Sequence, residues 1–172
     1  MTFKIPKKIK SVKFRDNRGY FQECFNKKKL NFNSVFSAMS CSKKNVIRGL
    51  HLQLKKKQEI LLTVVSGKIL DVCVDVNPNS NNFGKVYKNI LKVGDMLYIP
   101  TNFAHGFSCL DSNNLIIYQF SNYRDKISEI GIRYNDKNLN INWKIQKPIL
   151  SKKDKLNISF NSFVKKIKNA RE

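Results

Sequence analysis

The stretch Gly94–Phe107, GDMLYIPTNFAHGF, places a glycine, a proline six residues later and a histidine five residues beyond the proline. The apolar residues on either side of Pro100 predict two short strands, over 95–99 and 104–110. Gly94 and Pro100 are expected to lie in turns, because glycine and proline favour them. The stretch therefore predicts a turn-bounded pair of strands that carries His105, one of two histidines in 172 residues.

Short apolar segments on both sides of this stretch continue the β pattern. The segment 59–65 predicts a buried strand, and Ser66-Gly67 predicts a turn that leads into a hairpin. In Lys68–Val76, KILDVCVDV, apolar and polar residues alternate, so one face of this strand is expected to pack on a core. Further strands are predicted over about 84–93 and 114–120. Many short strands at this spacing indicate an all-β sandwich or barrel, and a barrel with an open mouth could hold a small ligand.

The length of the chain sets its domain organisation. With 172 residues and 41% hydrophobic residues, the chain is long enough for one well-cored domain over 1–172. We expect the barrel core over about 14–145 and a separate C-terminal segment over 148–172. In that segment Phe160, Phe163, Val164 and Ile167 recur at helical spacing, after a cap expected at Asn161 or Ser162. The helix is expected to pack on the barrel, with a basic membrane-surface helix as the alternative.

Composition limits the location and redox chemistry of the protein. No apolar run approaches the roughly 20 residues of a membrane span, and the start MTFKIPKKIK lacks the apolar stretch of a signal peptide. A soluble, cytoplasmic protein is expected. Its four cysteines, Cys24, Cys41, Cys73 and Cys109, are scattered without a CxxC pair, so neither a zinc site nor a disulfide framework is predicted.

The formal charge of +21 raises the question of a nucleic-acid partner. The basic residues are spread along the chain in short runs, and only six of the 33 are arginine. Base readout and stacking favour arginine and aromatic residues in one patch, so we expect a solvated lysine-rich surface and no nucleic acid. Such a surface would still attract a smaller anionic substrate.

The glycine, proline and histidine of the opening stretch resemble the second motif of the cupin superfamily, with Asn102 where that motif has glycine. The first cupin motif carries His-x-His, and the matching place here is His51-Leu52-Gln53. Residues 51 and 53 share a strand face, so one imidazole and one amide point where two imidazoles are needed for a metal. We therefore predict a cupin-type antiparallel jelly roll with short peripheral and C-terminal helices, and a site without a metal.

A wider resemblance runs from about Phe14 to Asp154. The segments that carry it are FRDNRGYFQECF (14–25), NVIRGLHLQ (45–53), SGKILDVCVDV (66–76), SNNFGK (80–85), IPTNFAHGF (99–107), IIYQF (116–120), IRYND (132–136), INW (141–143) and LSKKD (150–154). In the order and spacing of these segments the chain resembles the dTDP-4-dehydrorhamnose 3,5-epimerase family, a group of cupin-like sugar-nucleotide epimerases.

The resemblance implies a metal-independent inversion at C3 and C5 of a nucleotide-linked 4-keto-6-deoxyhexose. A proton α to the carbonyl leaves to give an enolate, and reprotonation from the opposite face inverts the centre. Such a reaction needs a base, an acid and a stabiliser of the enolate oxygen, and no cofactor. By similarity the base is His51, its orienting carboxylate is Asp154, and the proton donor is Tyr118. An imidazole titrates near neutral pH, and a phenol stays protonated there, so both suit these roles.

The resemblance also implies a set of substrate-binding residues. Arg18, Glu23 and Phe14 match residues that reach the nucleotide bound by a neighbouring subunit, which implies a homodimer with exchanged N-terminal strands. Lys153 matches a basic residue near the diphosphate, and His105 and Gln53 are expected to face the sugar. Arg48 matches a sugar-binding arginine, but it lies three residues before His51. It therefore needs a bend or bulge in the strand to reach the same pocket.

Two departures from the family pattern leave alternatives open. Ile60 lies where relatives have a lysine that helps to stabilise the enolate, and FSAMSCS (36–42) lies where relatives read approximately QxNxSxS. Each lost oxyanion stabiliser is worth a factor of roughly 100 to 1,000 in rate. A single-centre epimerase on a different sugar nucleotide, a ketoisomerase, and a non-catalytic sugar-nucleotide or polyanion binding module therefore stay possible.

Overall fold

The computed structural model describes residues 3–169, and strands dominate it. Two short helices follow the strands. The strands are β1 Lys7–Ile9, β2 Lys13–Asp16, β3 Gly19–Gln22, β4 Phe36–Lys43, β5 Ile47–Gln53, β6 Ile60–Ser66, β7 Lys68–Asp75, β8 Val86–Lys92, β9 Met96–Ile99, β10 Phe103–Cys109, β11 Asn113–Phe120 and β12 Glu129–Gly131, and the helices are α1 Lys152–Lys155 and α2 Phe160–Asn169.

Ten of these strands form two five-stranded antiparallel sheets. Sheet 1 has the order β1-β9-β6-β11-β4, sheet 2 has the order β12-β5-β10-β7-β8, and β2 and β3 form a separate hairpin. One buried cluster takes side chains from both sheets, including Leu62 and Ile116 of sheet 1 and Ile69 and Phe107 of sheet 2. The two sheets therefore face each other across a shared core, and the predicted all-β, cupin-type jelly roll is confirmed.

The hairpin predicted across Ser66-Gly67 is wrong. β6 pairs with β9 and β11 in sheet 1, whereas β7 pairs with β8 and β10 in sheet 2. Gly67 has φ +80°, and a Cβ there would lie 2.4 Å from the carbonyl oxygen of Asn113. The Asn114 side chain accepts a hydrogen bond from the Lys68 amide at 3.1 Å. This packing turns the chain from one sheet into the other, which local turn propensity cannot reveal.

The outer face of sheet 2 is covered by the C-terminal segment. Leu70, Val72 and Val74 of β7 pack in one cluster with Trp143 and Phe163. Both faces of β7 are therefore buried, its polar face towards the barrel interior and its apolar face towards this cover. Helix α2 is confirmed, although its cap is Ser159, whose hydroxyl oxygen accepts from the Ser162 amide at 3.1 Å. Among residues 3–169 no helix is long and apolar enough to cross a membrane.

Candidate active site

A cavity of about 400 Å³ opens between the two sheets. Each sheet contributes one wall, and the loops after β5 and β11 form part of the rim. Sheet 1 supplies Phe36, Ser40, Ile60, Tyr118 and Phe120, sheet 2 supplies Arg48, His51, Gln53, His105, Phe107 and Glu129, and Lys57, Arg124 and Lys153 lie in the flanking segments. The structure thus brings seven of the ten predicted site residues to one place.

His51 and Asp154 form a close pair although 103 residues separate them in sequence. Nε2 of His51 lies 2.6 Å from Oδ1 of Asp154, and the Asp154 side chain is 5% exposed. Asp154 sits in α1, which Ser151 caps: its amide donates to Oγ of Ser151, and that hydroxyl donates to Oδ2 of Asp154 at 2.8 Å. Burial acts to raise the pKa of Asp154, but the hydrogen bonds from His51 and Ser151 outweigh it and lower the pKa. The carboxylate is therefore ionised and fixed behind the imidazole.

Tyr118 faces the cavity from the opposite wall. Its hydroxyl lies 3.0 Å from Oγ of Ser40. Burial raises the pKa of Tyr118, although Ser40 and Arg48 act to lower it. The phenol is therefore protonated at neutral pH, and it lies across the cavity from an imidazole.

Arg48 reaches the cavity because β5 contains a bulge. His51 is opposite His105, but Arg48 is opposite Phe107, so three steps along β5 match two along β10. Gly49 lies inside the bulge with φ +113°, and a Cβ there would lie 2.5 Å from Cα of Gly106. The extra residue turns Arg48 to the same side as His51, and Nε of Arg48 donates to Oγ of Ser42 at 3.0 Å. The bend expected from the sequence is present.

His105 has a buried acidic partner. Nε2 of His105 lies 2.6 Å from Oδ2 of Asp71, whose side chain is fully buried. Sequence reasoning did not assign Asp71 to the site. The signal was an aspartate in the middle of β7, with apolar residues on both sides of it in sequence.

The rim of the cavity carries a second charged group, of which the sequence indicated only Lys153. Nε of Arg124 donates to Oε2 of Glu129 at 2.7 Å, and Nζ of Lys153 donates to Oε1 of the same carboxylate. Burial acts to raise the pKa of Glu129, but Arg124 and Lys153 outweigh it and lower the pKa. Two cations therefore flank one carboxylate next to the His51–Asp154 pair.

Gln53 lines the cavity, but its amide is occupied by loop backbone. Nε2 donates to the carbonyl oxygen of Lys56 at 2.8 Å, and Oε1 accepts from the Asp125 amide at 2.7 Å. These bonds join the loops on the two sides of the rim. The geometry gives Gln53 a loop-positioning contact in addition to its place in the wall.

Three predicted residues lie elsewhere. Phe14 is in the β2–β3 hairpin and packs on Phe21, Arg18 pairs with Asp16, and Glu23 pairs with Lys29. In the part of the chain that the structure describes, Phe14, Arg18 and Glu23 do not line this cavity. A single chain therefore does not bring them to His51.

The two departures from the family pattern form an apolar patch on the sheet 1 wall. Ile60 and Ala38 line the cavity, and Phe36 stacks on Phe120 with ring centroids 4.7 Å apart. Lys57 reaches the rim nearby, where Nζ donates to Oδ1 of Asn102 at 2.6 Å. Among the described residues that line the cavity, the cations Lys57 and Arg48 donate hydrogen bonds to uncharged groups.

The fold and the site together define the class: a cupin-type jelly-roll protein with a small-molecule cavity between its sheets. A family model described as dTDP-4-dehydrorhamnose 3,5-epimerase matches residues 5–162. An enzyme of that name from Shigella flexneri is 40% identical over 152 residues, covering 82% of this chain and 83% of that protein. The chain belongs to the dTDP-4-dehydrorhamnose 3,5-epimerase family, and it is an enzyme of the isomerase class.

Solved structures agree with this assignment. The dTDP-4-dehydrorhamnose 3,5-epimerase of Elizabethkingia anophelis NUHP1 superposes with a TM-score of 0.87 at 38% identity, covering 94% of both chains. The dTDP-6-deoxy-D-glucose-3,5-epimerase of Legionella pneumophila Philadelphia 1 superposes with a TM-score of 0.87 at 33% identity, covering 91% of this chain and 88% of that chain. The Legionella structure is a complex with dTDP-4-keto-L-rhamnose.

Proposed function

We propose that the protein converts dTDP-4-dehydro-6-deoxy-D-glucose to dTDP-4-dehydro-L-rhamnose by inverting C3 and C5. The observation that carries this proposal is the pair of walls: an imidazole backed by a carboxylate on one side, and a protonated phenol on the other. Inversion requires proton removal and proton delivery on opposite faces of the sugar ring. The ligand of the Legionella relative supports the choice of substrate.

In the proposed reaction His51 is the base. Its Nε2–H donates to Asp154, which leaves Nδ1 with a lone pair that takes the proton from the carbon α to the carbonyl. The electron pair of the broken C–H bond forms the enolate, and the Asp154 carboxylate stabilises the imidazolium. Tyr118 then donates its phenolic proton to the same carbon from the other wall. The proton on His51 leaves to solvent, and Tyr118 regains one.

The enolate oxygen and the diphosphate both need positive charge nearby. We assign Arg48 and Lys57 to the sugar end, because within residues 3–169 both donate to uncharged groups, Ser42 and Asn102. Arg124 and Lys153 suit the diphosphate, because they lie together at the rim and are held in place by Glu129. His105, fixed by Asp71, positions the sugar.

We further propose a homodimer in which the β2–β3 hairpin of one subunit reaches the cavity of the other. Phe14 is 59% exposed and Phe21 is 68% exposed, although both are large apolar side chains in a separate two-stranded sheet. Contiguous exposed apolar groups of this kind favour a protein interface. In the dimer Phe14, Arg18 and Glu23 contact the nucleotide of the partner.

Proton NMR of dTDP-4-keto-6-deoxyglucose incubated with the protein in deuterated water tests the proposal. Loss of both the C3 and the C5 proton signals is expected, and the variant His51→Asn should reduce this loss by orders of magnitude. A protein that binds dTDP but exchanges neither proton would be a binding module.

A single-centre epimerase is the second candidate. The apolar patch of Ile60, Ala38 and Phe36 favours it, because this wall offers a sugar fewer polar contacts than the opposite wall does. Exchange at one carbon alone in the same NMR experiment would support the single-centre reaction over the double inversion.

A further inference from the structure

Asp71, Cys73 and His105 form a compact cluster on the barrel interior side of sheet 2. Asp71 and Cys73 lie two residues apart on β7 and so share one face, and His105 is the cross-strand partner of Cys73 on β10. One donor atom from each of the three residues lies within 4.8 Å of the other two. Adjacent strand positions therefore bring a carboxylate, a thiol and an imidazole together.

One distance within the cluster already matches that between two ligands of one metal ion, and the other is a hydrogen-bond distance. Sγ of Cys73 lies 3.4 Å from Oδ1 of Asp71, and Nε2 of His105 lies 2.6 Å from Oδ2. With metal–ligand distances of about 2.0–2.3 Å, tetrahedral ligands lie roughly 3.3–3.8 Å apart. A small rotation of the His105 ring would therefore make room for an ion.

The donor set selects a class of ion. Nitrogen, carboxylate oxygen and thiolate sulfur together suit borderline-soft divalent cations such as Zn²⁺ and Co²⁺, and they suit Mg²⁺ and Ca²⁺ poorly. Asp71 and Cys73 are fully buried, whereas His105 lines the cavity. Three protein ligands on the buried side would leave the remaining coordination position directed at the cavity.

We propose that Asp71, Cys73 and His105 bind one Zn²⁺-class cation that enters through the cavity. The Cys73 thiol loses its proton to solvent, and His105 changes tautomer, so that Nε2 gives its proton to solvent and Nδ1 takes one up. Metal–sulfur, metal–nitrogen and metal–oxygen bonds then form, and the thiolate and carboxylate together balance the two charges of the ion. Burial and Asp71 raise the pKa of Cys73, so the metal-free thiol holds this proton and binding releases it.

Occupation of the site has a consequence for catalysis, which rests on the function proposed above. The metal takes Nε2 of His105 from Asp71, so the ring rotates and leaves the position in which it contacts the sugar. Zn²⁺ is therefore an inhibitor of the epimerase, and it acts from the sheet 2 wall rather than through the His51–Asp154 pair.

Cobalt titration followed by absorption spectroscopy tests the site without using the enzyme reaction. The reduced, metal-free protein carries Cys24→Ser and Cys41→Ser, because these two exposed cysteines could bind the ion by themselves. We expect a thiolate-to-cobalt charge-transfer band that saturates at one equivalent. Cys73→Ala removes the band, whereas Cys109→Ala, the matched control at the other buried cysteine, retains it.

Two results would overturn the proposed metal site. One is the absence of a charge-transfer band in the parent protein, and the other is a band of equal intensity in the Cys73→Ala variant. A thermal melt of each variant establishes that Cys73→Ala and Cys109→Ala are equally folded. If Cys73→Ala does not fold, Cys73→Ser replaces it, and a hydroxyl ligand gives no thiolate band.

Zn²⁺ inhibition of the epimerase is the second measurement. The concentration that halves the rate should rise at least about tenfold in Cys73→Ala and stay unchanged in Cys109→Ala. Equal inhibition of both variants overturns the link to catalysis. An active metal-free enzyme without a cobalt band refutes the metal site alone, and a cobalt band in an inactive protein refutes the proposed function alone.

Discussion

Asp154 touches no substrate in the proposed reaction, yet the base depends on it. Its carboxylate receives hydrogen bonds from His51 and from Ser151, and it is almost fully buried. An imidazole fixed in this way keeps one tautomer and one orientation, and its protonated form gains a counter-ion. The contribution of Asp154 to catalysis is therefore electrostatic and geometric.

The variant Asp154→Asn should reduce kcat by about 10²–10⁴-fold with a smaller change in KM, because an amide neither fixes the tautomer nor balances the imidazolium. Steady-state kinetics measures both constants. Ser151→Ala is the matched control: it removes one hydrogen bond to the same carboxylate and should cost far less activity. A kcat for Asp154→Asn near that of the parent would contradict the role of the pair.

Tyr118→Phe removes the phenolic proton and keeps the aromatic ring. We expect deuterium exchange at the substrate to persist, because His51 still removes and returns the proton on its own face. Formation of the inverted product should fall by about 10²–10⁴-fold, the usual contribution of a positioned acid. NMR in deuterated water measures both quantities at once.

Tyr123→Phe is the control for this experiment. Tyr118, Phe120, Phe36 and Tyr123 stack in this order, and Tyr123 has no proposed role in proton transfer. If Tyr118→Phe inverts the substrate at the parental rate, another group is the acid.

Among the elements, β5 decides the shape of the site. Gly49 has a backbone conformation that L residues with a side chain rarely adopt, and the space beside it is filled by the backbone of β10. Its bulge is what turns Arg48 towards the cavity.

Gly49→Ala should lower the free energy of unfolding by about 2–5 kcal/mol, the sum of a left-handed backbone penalty and overpacking. Activity should fall further than stability explains, because Arg48 and His51 flank the position. Gly84→Ala is the control, with φ +81° and only ordinary van der Waals contact of the added Cβ with the Phe160 ring at 3.5 Å, so it carries mainly the backbone cost. Denaturant unfolding and kinetics of both variants make the comparison. Equal losses in the two would mean that packing at Gly49 is unimportant.

The sequence predicted elements better than their partners. Alternation in Lys68–Asp75 and the turn residues around Gly94 and Pro100 located β7, β9 and β10 within a residue or two. The passage of the chain from sheet 1 to sheet 2 at Gly67 was missed, since it depends on Asn114 from a distant strand. Lys153 was predicted, but its partners Arg124 and Glu129 were missed for the same reason. A strand can be predicted from neighbouring residues, whereas these contacts join residues that are distant in sequence and meet only in the folded chain.

For the molecule as a whole, the free energy of unfolding should depend on pH, and the His51–Asp154 pair contributes to this dependence. The pKa of Asp154 is lowered in the folded protein, so the folded state binds fewer protons than the unfolded chain does. The stabilisation is present above the unfolded pKa of about 4 and disappears as the pH falls through the lower folded pKa.

Urea unfolding of the parent and of Asp154→Asn at pH 7 and at about pH 3 measures this effect. We expect Asp154→Asn to be less stable than the parent at pH 7 and the difference to shrink in acid. A difference that is independent of pH would show that the carboxylate charge does not contribute.

The assembly is the other property of the whole molecule that can be tested. Phe21→Ser in the exposed hairpin should shift the protein from dimer to monomer in sedimentation experiments, because it removes apolar area from the proposed interface. KM for the nucleotide sugar should rise as well. Ile127→Ser is the matched control, a 98% exposed apolar residue outside the hairpin. If both variants are dimers, Phe21 and its hairpin do not form the dimer interface.

The separation of 103 residues between His51 and Asp154 also has a kinetic meaning. Pairings between segments distant in sequence form slowly, since the chain must close long loops before any contact compensates for the lost entropy. α1 joins the barrel through the bridges Val46–Ile149 and Ile132–Ile158, so the pair is completed when this segment docks on β5 and β12. During refolding from urea, enzyme activity should therefore return no earlier than the strand signal in circular dichroism. The recovery of enzyme activity therefore measures when the segment that contains Asp154 docks on the barrel.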